Sequence, residues 1–245
     1  MATAPGARVL TVNLAAARPN ADKDVATTGI DKRPADGPVV VRAPGDKADG
    51  LGSGLVGDHI GDRGSHGGDD QAVYAYARED LDDWEGVMGR SLSPGSFGEN
   101  LTTLGLDITG ALIGERWAIG EDVELQVTDP RIPCSTFRGW MGTPGWLRTF
   151  TEAAKPGAYL RVLASGSIAA GDTITVTHRP AHAVTIGLVF RALTREPGLL
   201  PEILAAADLP AETREMAREG RTFSIPMSNV LDLVEAPKLS APAPK

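Results

Sequence analysis

The sequence predicts a mainly β fold, a small closed or nearly closed β-barrel with short peripheral helices and a helical C-terminal part. Segments 123–128 and 173–177 alternate apolar and polar residues with period two, as half-buried strands do. Each follows a Gly-Glu or Gly-Asp pair, and such tight turns are typical of antiparallel strands. The 29 glycines and 18 prolines indicate many turns and few long helices. With a further strand at 158–165, these features favour a barrel.

Two strands and a long loop are predicted in the first seventy residues. "RVLTVNLA" (8–15) is typical of a strand, and "GPVVVRAP" (37–44) is a β-branched run bounded by Gly and Pro. The dense glycines of 45–70 indicate a loop that makes several tight turns or folds closely around a ligand. Residues 71–89 then have the spacing of a strand that runs into a short helix.

Three short amphipathic helices are predicted after the last strand, and Thr185 is a suitable N-cap for the first of them. A chain of 245 residues is long enough for one or two domains. We therefore expect a barrel domain at 1–183 and a three-helix extension at 184–225. The remaining tail, 226–245, is rich in Pro and Ala, and its end is expected to be disordered.

The overall charge excludes two classes of partner. A net charge of −8 and a pI near 5.0 argue against a nucleic-acid polymer and against an anionic membrane surface. No apolar run approaches the ~18 to 20 residues of a membrane helix. The single cysteine excludes an intrachain disulfide. We expect a soluble, cytoplasmic protein in which any anionic ligand is bound by a local group of cations and backbone N–H donors.

Some apparent motifs do not support a site. "GSGLVG" (52–57) matches a dinucleotide-binding pattern, but it follows a loop instead of a strand, and no helix is predicted after it. The acidic glycine-rich segment lacks the nine-residue repeat of a calcium β-roll. His59 and His66 lack a third ligand at a spacing suited to zinc.

The single cysteine, Cys134, follows a predicted strand in the sequence "DPRIPCSTF". Pro130 and Pro133 fix the backbone, so the chain should leave the sheet as a stiff loop that presents the thiol. Arg131 and Arg138 lie close in sequence, and a nearby cation favours the thiolate, which is a nucleophile and a soft metal ligand. The alternative is a buried, inert cysteine.

Several segments resemble the MOSC family, named for the C-terminal domain of molybdenum-cofactor sulfurase, and in particular its YiiM-like subgroup with a three-helix extension. They are "TGIDKRP", "LVGDHIGDRGSHGGDDQAVYAY", "GSFGENLTTLGLD" and "IGERWAIGEDVELQVTDPRIPC". In this order, with "FGENL" and "PRIPC" both present, the pattern is specific. The resemblance implies a MOSC-type β-barrel whose cleft holds the molybdenum cofactor, a pterin dithiolene with a phosphate tail.

In the family, the cysteine matched by Cys134 binds molybdenum or carries sulfur, so the resemblance makes it the catalytic residue and metal ligand here. Asp58 and Glu99 are expected to orient the basic groups, or else to brace loops. His66 is expected beside the ligand, or else as a turn cap. At the position of Gln71 the family often has a basic residue. If that residue contacts an anion in the family, this chain needs a different contact to the anion. The residues expected to bind the cofactor are Lys32, Arg33, Arg63, His66, Asn100, Arg131, Ser135 and Thr136.

The resemblance implies a molybdenum-dependent reductase of N-hydroxylated compounds, such as hydroxylaminopurines or amidoximes. Its electrons must come from a separate reductase or ferredoxin-like partner, because one cysteine cannot hold an iron–sulfur cluster. Pyridoxal phosphate is not expected, since no desulfurase domain is recognisable. The alternatives are a sulfur or cofactor carrier with a persulfide on Cys134, and a cysteine hydrolase that uses Cys134 with His66. The sequence leaves open whether the C-terminal helices cover the cleft, form a homodimer or dock the electron donor.

Overall fold

A computed structural model describes residues 6–225, so the predicted tail 226–245 lies outside the described residues. The fold is a large mixed sheet with several helices. The strands are β1 (Arg8–Leu14), β2 (Arg18–Pro19), β3 (Thr27–Thr28), β4 (Arg33–Pro34), β5 (Val39–Val41), β6 (Val73–Ala77), β7 (Leu101–Leu104), β8 (Arg116–Ile119), β9 (Val123–Pro130), β10 (Ala158–Ala164), β11 (Gly166–Ile168) and β12 (Ile174–His178). The predicted strands at 8–15, 37–44, 123–128, 158–165 and 173–177 are all present.

The main sheet has eight strands in the order β12-β8-β9-β10-β6-β7-β1-β4. Neighbouring strands are antiparallel except for β6 and β7, which run parallel. A parallel pair needs a crossover connection, and helix α1 (Arg78–Met88) lies in the crossover between these two strands. Two small pairs, β11 with β5 and β2 with β3, complete the β structure of the described residues.

Backbone hydrogen bonds connect β1 with the turn that leads into β12. The amide of Val9 donates to the carbonyl of Asp172 at 2.9 Å, and the amide of Ile174 donates to the carbonyl of Ala7 at 2.8 Å. β12 lies at one edge of the main sheet and β1 lies next to the other edge. The two edges therefore meet at this point, while a fully closed barrel stays a prediction.

Five further helices follow α1, namely α2 (Ser135–Met141), α3 (Trp146–Ala153), α4 (Ile186–Thr194), α5 (Leu200–Ile203) and α6 (Ala211–Arg218). The Thr185 hydroxyl accepts from the amide of Leu188 at 3.1 Å, so its predicted role as N-cap is confirmed.

No helix in residues 6–225 is long and apolar enough to cross a membrane. Nor does any α-helix directly follow "GSGLVG", as a dinucleotide-binding turn would require.

The stretch after Pro133 differs from the expectation of a stiff loop. The chain is extended up to Cys134, whose φ and ψ are −130° and 174°, and it becomes helical at Ser135. Proline restricts its own φ and the residue before it, so Pro133 leaves the residues after it free to form α2. The thiol therefore lies at the N-cap of a helix.

An aliphatic core covers one face of the main sheet. It includes Val9, Val127 and Leu160 from the strands together with Val189 of α4 and Ile203 of α5. The C-terminal helices thus share a single hydrophobic cluster with the sheet, as a packed layer does. The boundary between a domain at 1–183 and an extension at 184–225 stays a prediction.

A second core is aromatic, although only 5% of the residues are Phe, Trp or Tyr. Phe150 of α3 lies at its centre, with its ring centroid 5.2 Å from that of Phe137 and 6.2 Å from that of Phe190. Trp84 of α1 and Trp146 of α3 pack on the same ring, at 6.0 and 5.8 Å. The contacts of Phe150 with Phe137 and Phe190 are edge-to-face, and aromatic pairs of this kind add to the stabilisation from burial. This cluster fixes α2, and hence the position of Cys134.

We expect Phe150→Ala to lower the free energy of unfolding by about 3 to 5 kcal/mol, because it removes a fully buried ring and leaves a cavity. Urea denaturation followed by tryptophan fluorescence measures the change. Val87→Ala, at a side chain that is 66% exposed, is the control and should stay within about 0.5 kcal/mol of the wild type. A similar small effect of both changes would contradict the central place of Phe150.

Candidate active site

Cys134 lies where two cavities meet. The first is a cleft beside Arg131, and the second is a cavity beside Asp129. Five residues line both of them. They are Lys23, His66, Gln71, Cys134 and Tyr159. The thiol is only partly buried, so the expectation that it is presented and not sealed in the core agrees with the structure.

The surroundings of Cys134 favour its thiolate form. Burial by itself would raise the pKa of the thiol. A hydrogen bond with the His66 side chain and the positive charge of Arg131 act in the other direction, and together they lower the pKa to about 6. The thiol is therefore a thiolate at neutral pH, which makes it both nucleophilic and a soft metal ligand.

Arg131 provides a buried positive charge beside the thiol. Its side chain lines the first cleft, and the residue is only 4% exposed. The guanidinium carbon lies 3.9 Å from the ring centroid of Phe137, a cation–π contact. Its Nη1 atom is buried and has no hydrogen-bond partner among the described residues. A buried donor without a partner is costly, so this atom is suited to an anionic ligand.

A second buried cation, Lys32, belongs to a hydrogen-bonded network. Its ammonium donates to Oδ1 of Asp58. Oδ2 of Asp58 accepts from the Ser53 hydroxyl at 2.8 Å and from the Asn100 amide at 2.9 Å. The backbone amide of Ala15 also donates to Asp58, at 2.9 Å. Asp58 therefore orients Lys32 and Asn100 at the cleft, while its support of cofactor binding stays a prediction.

The loop before β6 places His66 at the site. Gly67 and Gly68 have φ of 86° and 77°, a region that side-chain-bearing residues rarely adopt. A Cβ on Gly67 would lie 2.8 Å from the carbonyl oxygen of Gly52, so the close approach of the two loop segments needs glycine. Nδ1 of His66 lies 3.5 Å from the Tyr159 hydroxyl. Burial raises the pKa of Tyr159 to about 12, so this phenol stays protonated.

The first cleft brings together most of the residues predicted from the sequence. Those that line it are Lys32, Asp58, His66, Asn100, Arg131, Cys134 and Thr136. Their side chains surround the thiol with cations and neutral hydrogen-bonding groups. No group of three or more His, Cys, Asp or Glu side chains suited to a metal ion occurs in residues 6–225. A metal at Cys134 would therefore need its other ligands from a cofactor.

Arg33 and Arg63 are not brought into this cleft. Arg33 has a side chain that is 78% exposed and pairs with Asp31 at 3.2 Å. Arg63 is exposed and donates to the carbonyl oxygen of Gly50 at 3.0 Å, which holds it on the outer side of the glycine-rich loop. Both residues belong to segments that contribute other side chains to the cleft, but their own side chains do not line it.

Ser135 and Glu99 also lie outside the cleft lining. Ser135 is the first residue of α2. Glu99 is fully buried, and its carboxylate accepts from the amides of Gly95 and Phe97 at 2.6 and 2.9 Å. Burial raises the pKa of Glu99, and these hydrogen bonds oppose that shift. Glu99 therefore braces the turn before β7, which is the second of the two roles expected for it.

The structure adds residues that the sequence did not indicate. The Asn20 amide donates to the Thr136 hydroxyl at 3.1 Å and lines the cleft with Lys23 and Tyr159. Oε1 of Gln71 is buried without a hydrogen-bond partner among the described residues, and the side chain lines both cavities. Asn20 and Lys23 lie far from Cys134 in sequence, in a segment without a motif. Gln71 was noticed only as a departure from the family.

The second cavity is bounded by α6 and by the end of β9. Asp129 lies on it, and the Thr213 hydroxyl of α6 donates to Asp129 Oδ2 at 2.9 Å. Oδ1 of the same carboxylate is buried and has no hydrogen-bond partner among residues 6–225. Burial raises the pKa of Asp129 to about 7, against the opposing effect of the Thr213 hydrogen bond.

Comparison with known proteins places this site in a family. The model of the MOSC domain matches residues 62–175, a range that holds His66, Arg131 and Cys134. The Bacillus subtilis (strain 168) protein YflK is 32% identical over 159 residues, which are 65% of this chain and 67% of YflK. The chain belongs to the MOSC domain family. The resemblance predicted from its sequence motifs is thereby confirmed.

Solved structures of MOSC relatives show the same fold. YiiM from Geobacillus stearothermophilus matches with a TM-score of 0.69 and 27% identity, over 87% of this chain and 98% of that one. YiiM from Escherichia coli matches with a TM-score of 0.65 over 87% of this chain and 92% of that one. At 22% identity the second likeness concerns the fold alone.

Two further relatives match over only part of their length. A Gibberella moniliformis (strain M3125 / FGSC 7600) protein named "Reductase" is 33% identical over 162 residues, 63% of this chain. This chain spans only 26% of that reductase. Protein YiiM of Escherichia coli (strain K12) is 29% identical over 130 residues, which are 51% of this chain and 57% of YiiM.

The thiolate of this MOSC chain can be tested by alkylation. We expect the iodoacetamide reaction of the cofactor-free chain to rise with pH around a midpoint near 6, because only the thiolate reacts. His66→Ala removes the hydrogen bond that lowers the pKa, so its midpoint should move upward. His178→Ala, which removes an exposed histidine of β12, is the control and should leave the midpoint in place. Equal midpoints in all three chains would contradict the role of His66.

Asp129 is expected to make the stability of this MOSC chain depend on pH. The folded chain keeps its proton up to about pH 7, whereas the unfolded chain loses it near pH 4, so stability from this group falls as pH rises between those values. Asp129→Asn should therefore raise the free energy of unfolding at pH 8 by on the order of 2 to 4 kcal/mol and change it little below pH 4. Urea denaturation at several pH values measures this gain. A gain independent of pH would contradict it.

Proposed function

We propose that the chain binds the molybdenum cofactor in the first cleft and reduces N-hydroxylated compounds, with Cys134 as the metal ligand. The observation that carries the proposal is a partly buried thiol in one cleft with Arg131, whose buried Nη1 lacks a hydrogen-bond partner among the described residues. Membership of the MOSC family and the reductase among the relatives support it. Hydroxylaminopurines and amidoximes are the proposed substrates. A closed MOSC-type barrel around the cleft is part of the same proposal.

The residues of the cleft fit this cofactor in three respects. A soft thiolate suits a metal held by dithiolene sulfur. The buried guanidinium of Arg131 and the buried ammonium of Lys32 suit a phosphate and other electron-rich groups. Gln71 Oε1, which has no partner within residues 6–225, and the hydroxyl of Thr136 offer neutral hydrogen bonds to a pterin.

The proposed reduction converts an N–OH group to N–H with two electrons and two protons, and it releases water. The cofactor, when bound, supplies the metal through which the two electrons pass. In this proposal Cys134 holds the metal, His66 keeps the thiolate oriented through its hydrogen bond, and Arg131 offsets negative charge at the site. Electrons would come from a separate reductase or ferredoxin-like protein.

We expect the chain from a host that makes the cofactor to contain stoichiometric molybdenum and to reduce benzamidoxime with an artificial electron donor. Cys134→Ala should abolish reduction, and Arg131→Gln should weaken cofactor retention by about 10- to 100-fold, because it removes the buried charge. Arg116→Gln, at an exposed arginine of β8, is the matched control. Metal analysis and the rate of benzamidine formation are the measurements.

A wild-type chain without molybdenum, from a host that loads another molybdenum enzyme, would contradict the proposal. Two alternatives then apply, and each has a readout on Cys134. A mass increase of about 32 Da, one sulfur atom, would support a carrier with a persulfide at the low-pKa thiol. An acyl group trapped on Cys134 would support a hydrolase, in which His66, hydrogen-bonded to the thiol, would be the base.

A further inference from the structure

The second cavity offers access to the thiol that the proposed cofactor site does not use. Its walls combine apolar side chains, including Ile132, Met216 and Phe223, with polar ones, including Asp129 and Thr213. In pockets for small organic ligands, apolar walls bury the ligand and placed polar groups fix its orientation. With the cofactor in the first cleft, a ligand in the second cavity would lie beside Cys134 and therefore close to the metal that this residue is proposed to hold.

Asp129 is a charged residue of this cavity with one oxygen that lacks a hydrogen-bond partner among the described residues. Thr213 occupies its Oδ2 and leaves Oδ1 without a hydrogen bond among the described residues. The charged groups that act on it are Asp70, Glu212 and Lys47. Asp70 is engaged by Arg161, and Glu212 pairs with Lys47 at 3.6 Å. Above about pH 7 this carboxylate is ionised and only accepts hydrogen bonds, so its free oxygen is then suited to a ligand N–H.

We propose that the second cavity is the substrate pocket of this chain and that Asp129 Oδ1 accepts a hydrogen bond from an N–H group of the substrate. This inference rests on the proposed function and names the feature of the substrate that is recognised. The favoured ligands are uncharged, flat nitrogen compounds with an N–H donor near the N–OH group and an apolar remainder. Unsubstituted amidoximes and hydroxylaminopurines have both features.

The C-terminal helix α6 has a defined part in this proposal. Thr213 and Met216 lie on its inner side, where they contribute to the cavity wall and are buried. Thr213 is a positioning residue, because it fixes the Asp129 carboxylate and leaves one oxygen for the ligand. The helices after the sheet therefore complete the pocket and help to select the substrate.

The decisive experiment compares two probes, benzamidoxime and its N,N-dimethyl analogue, which lacks the N–H donor. Their affinities for the cofactor-free chain are measured by calorimetry, and their KM and kcat values are measured for the molybdenum-loaded chain. At pH 8, where Asp129 is ionised, the wild type should prefer benzamidoxime by about tenfold, the effect of one hydrogen bond to a charged group. Asp129→Asn should lose this preference through KM, and Thr213→Val should lose part of it.

Glu215→Gln, an exposed carboxylate on α6 that pairs with Arg218, is the matched control and should keep the preference. An unchanged preference in folded, molybdenum-loaded Asp129→Asn would overturn the inference and leave the proposed function standing. A wild type that lacks molybdenum but binds benzamidoxime, with the preference lost in Asp129→Asn, would support the pocket and contradict the reductase. Melting temperatures of all variants separate these outcomes from misfolding.

Discussion

The site depends on a buried guanidinium held against an aromatic ring. Arg131 lies on Phe137, and Phe137 belongs to the aromatic core that joins α1, α2, α3 and α4. This packing keeps a positive charge beside the thiol in a chain whose net charge is −8. Burial alone would favour the neutral thiol, so the thiolate depends on Arg131 and His66 remaining in place.

The two cavities give the thiol two chemical environments. The cleft has buried cations and suits an anionic ligand, whereas the cavity under α6 has a carboxylate oxygen without a partner among the described residues and walls of mixed polarity. Cys134 is one of the five side chains that lie between these two environments.

Sequence periodicity predicted the strands well, because side-chain alternation is a local property. Helices α2 and α3 escaped prediction because Phe137, Trp146 and Phe150 are fixed by contacts distant in sequence. Arg131 was predicted correctly as a neighbour of the thiol, because the short segment 131–134 at the end of β9 cannot separate the two side chains by much. The positions of Arg33 and Arg63 were not predicted correctly, because the sequence of a loop does not reveal the direction in which its charged side chains point. Asn20 and Lys23 reach the cleft only through the tertiary fold.

The hydrogen bonds between Val9 and Asp172 have a consequence for biosynthesis. They join residues near the two ends of the sheet, so the sheet can be completed only after the ribosome has released nearly all of the β region. Pairings so distant in sequence form late and slowly. The cleft includes Asn20 and Tyr159 and is therefore also assembled late. We expect any prosthetic group to be inserted after translation, into a chain that has already folded.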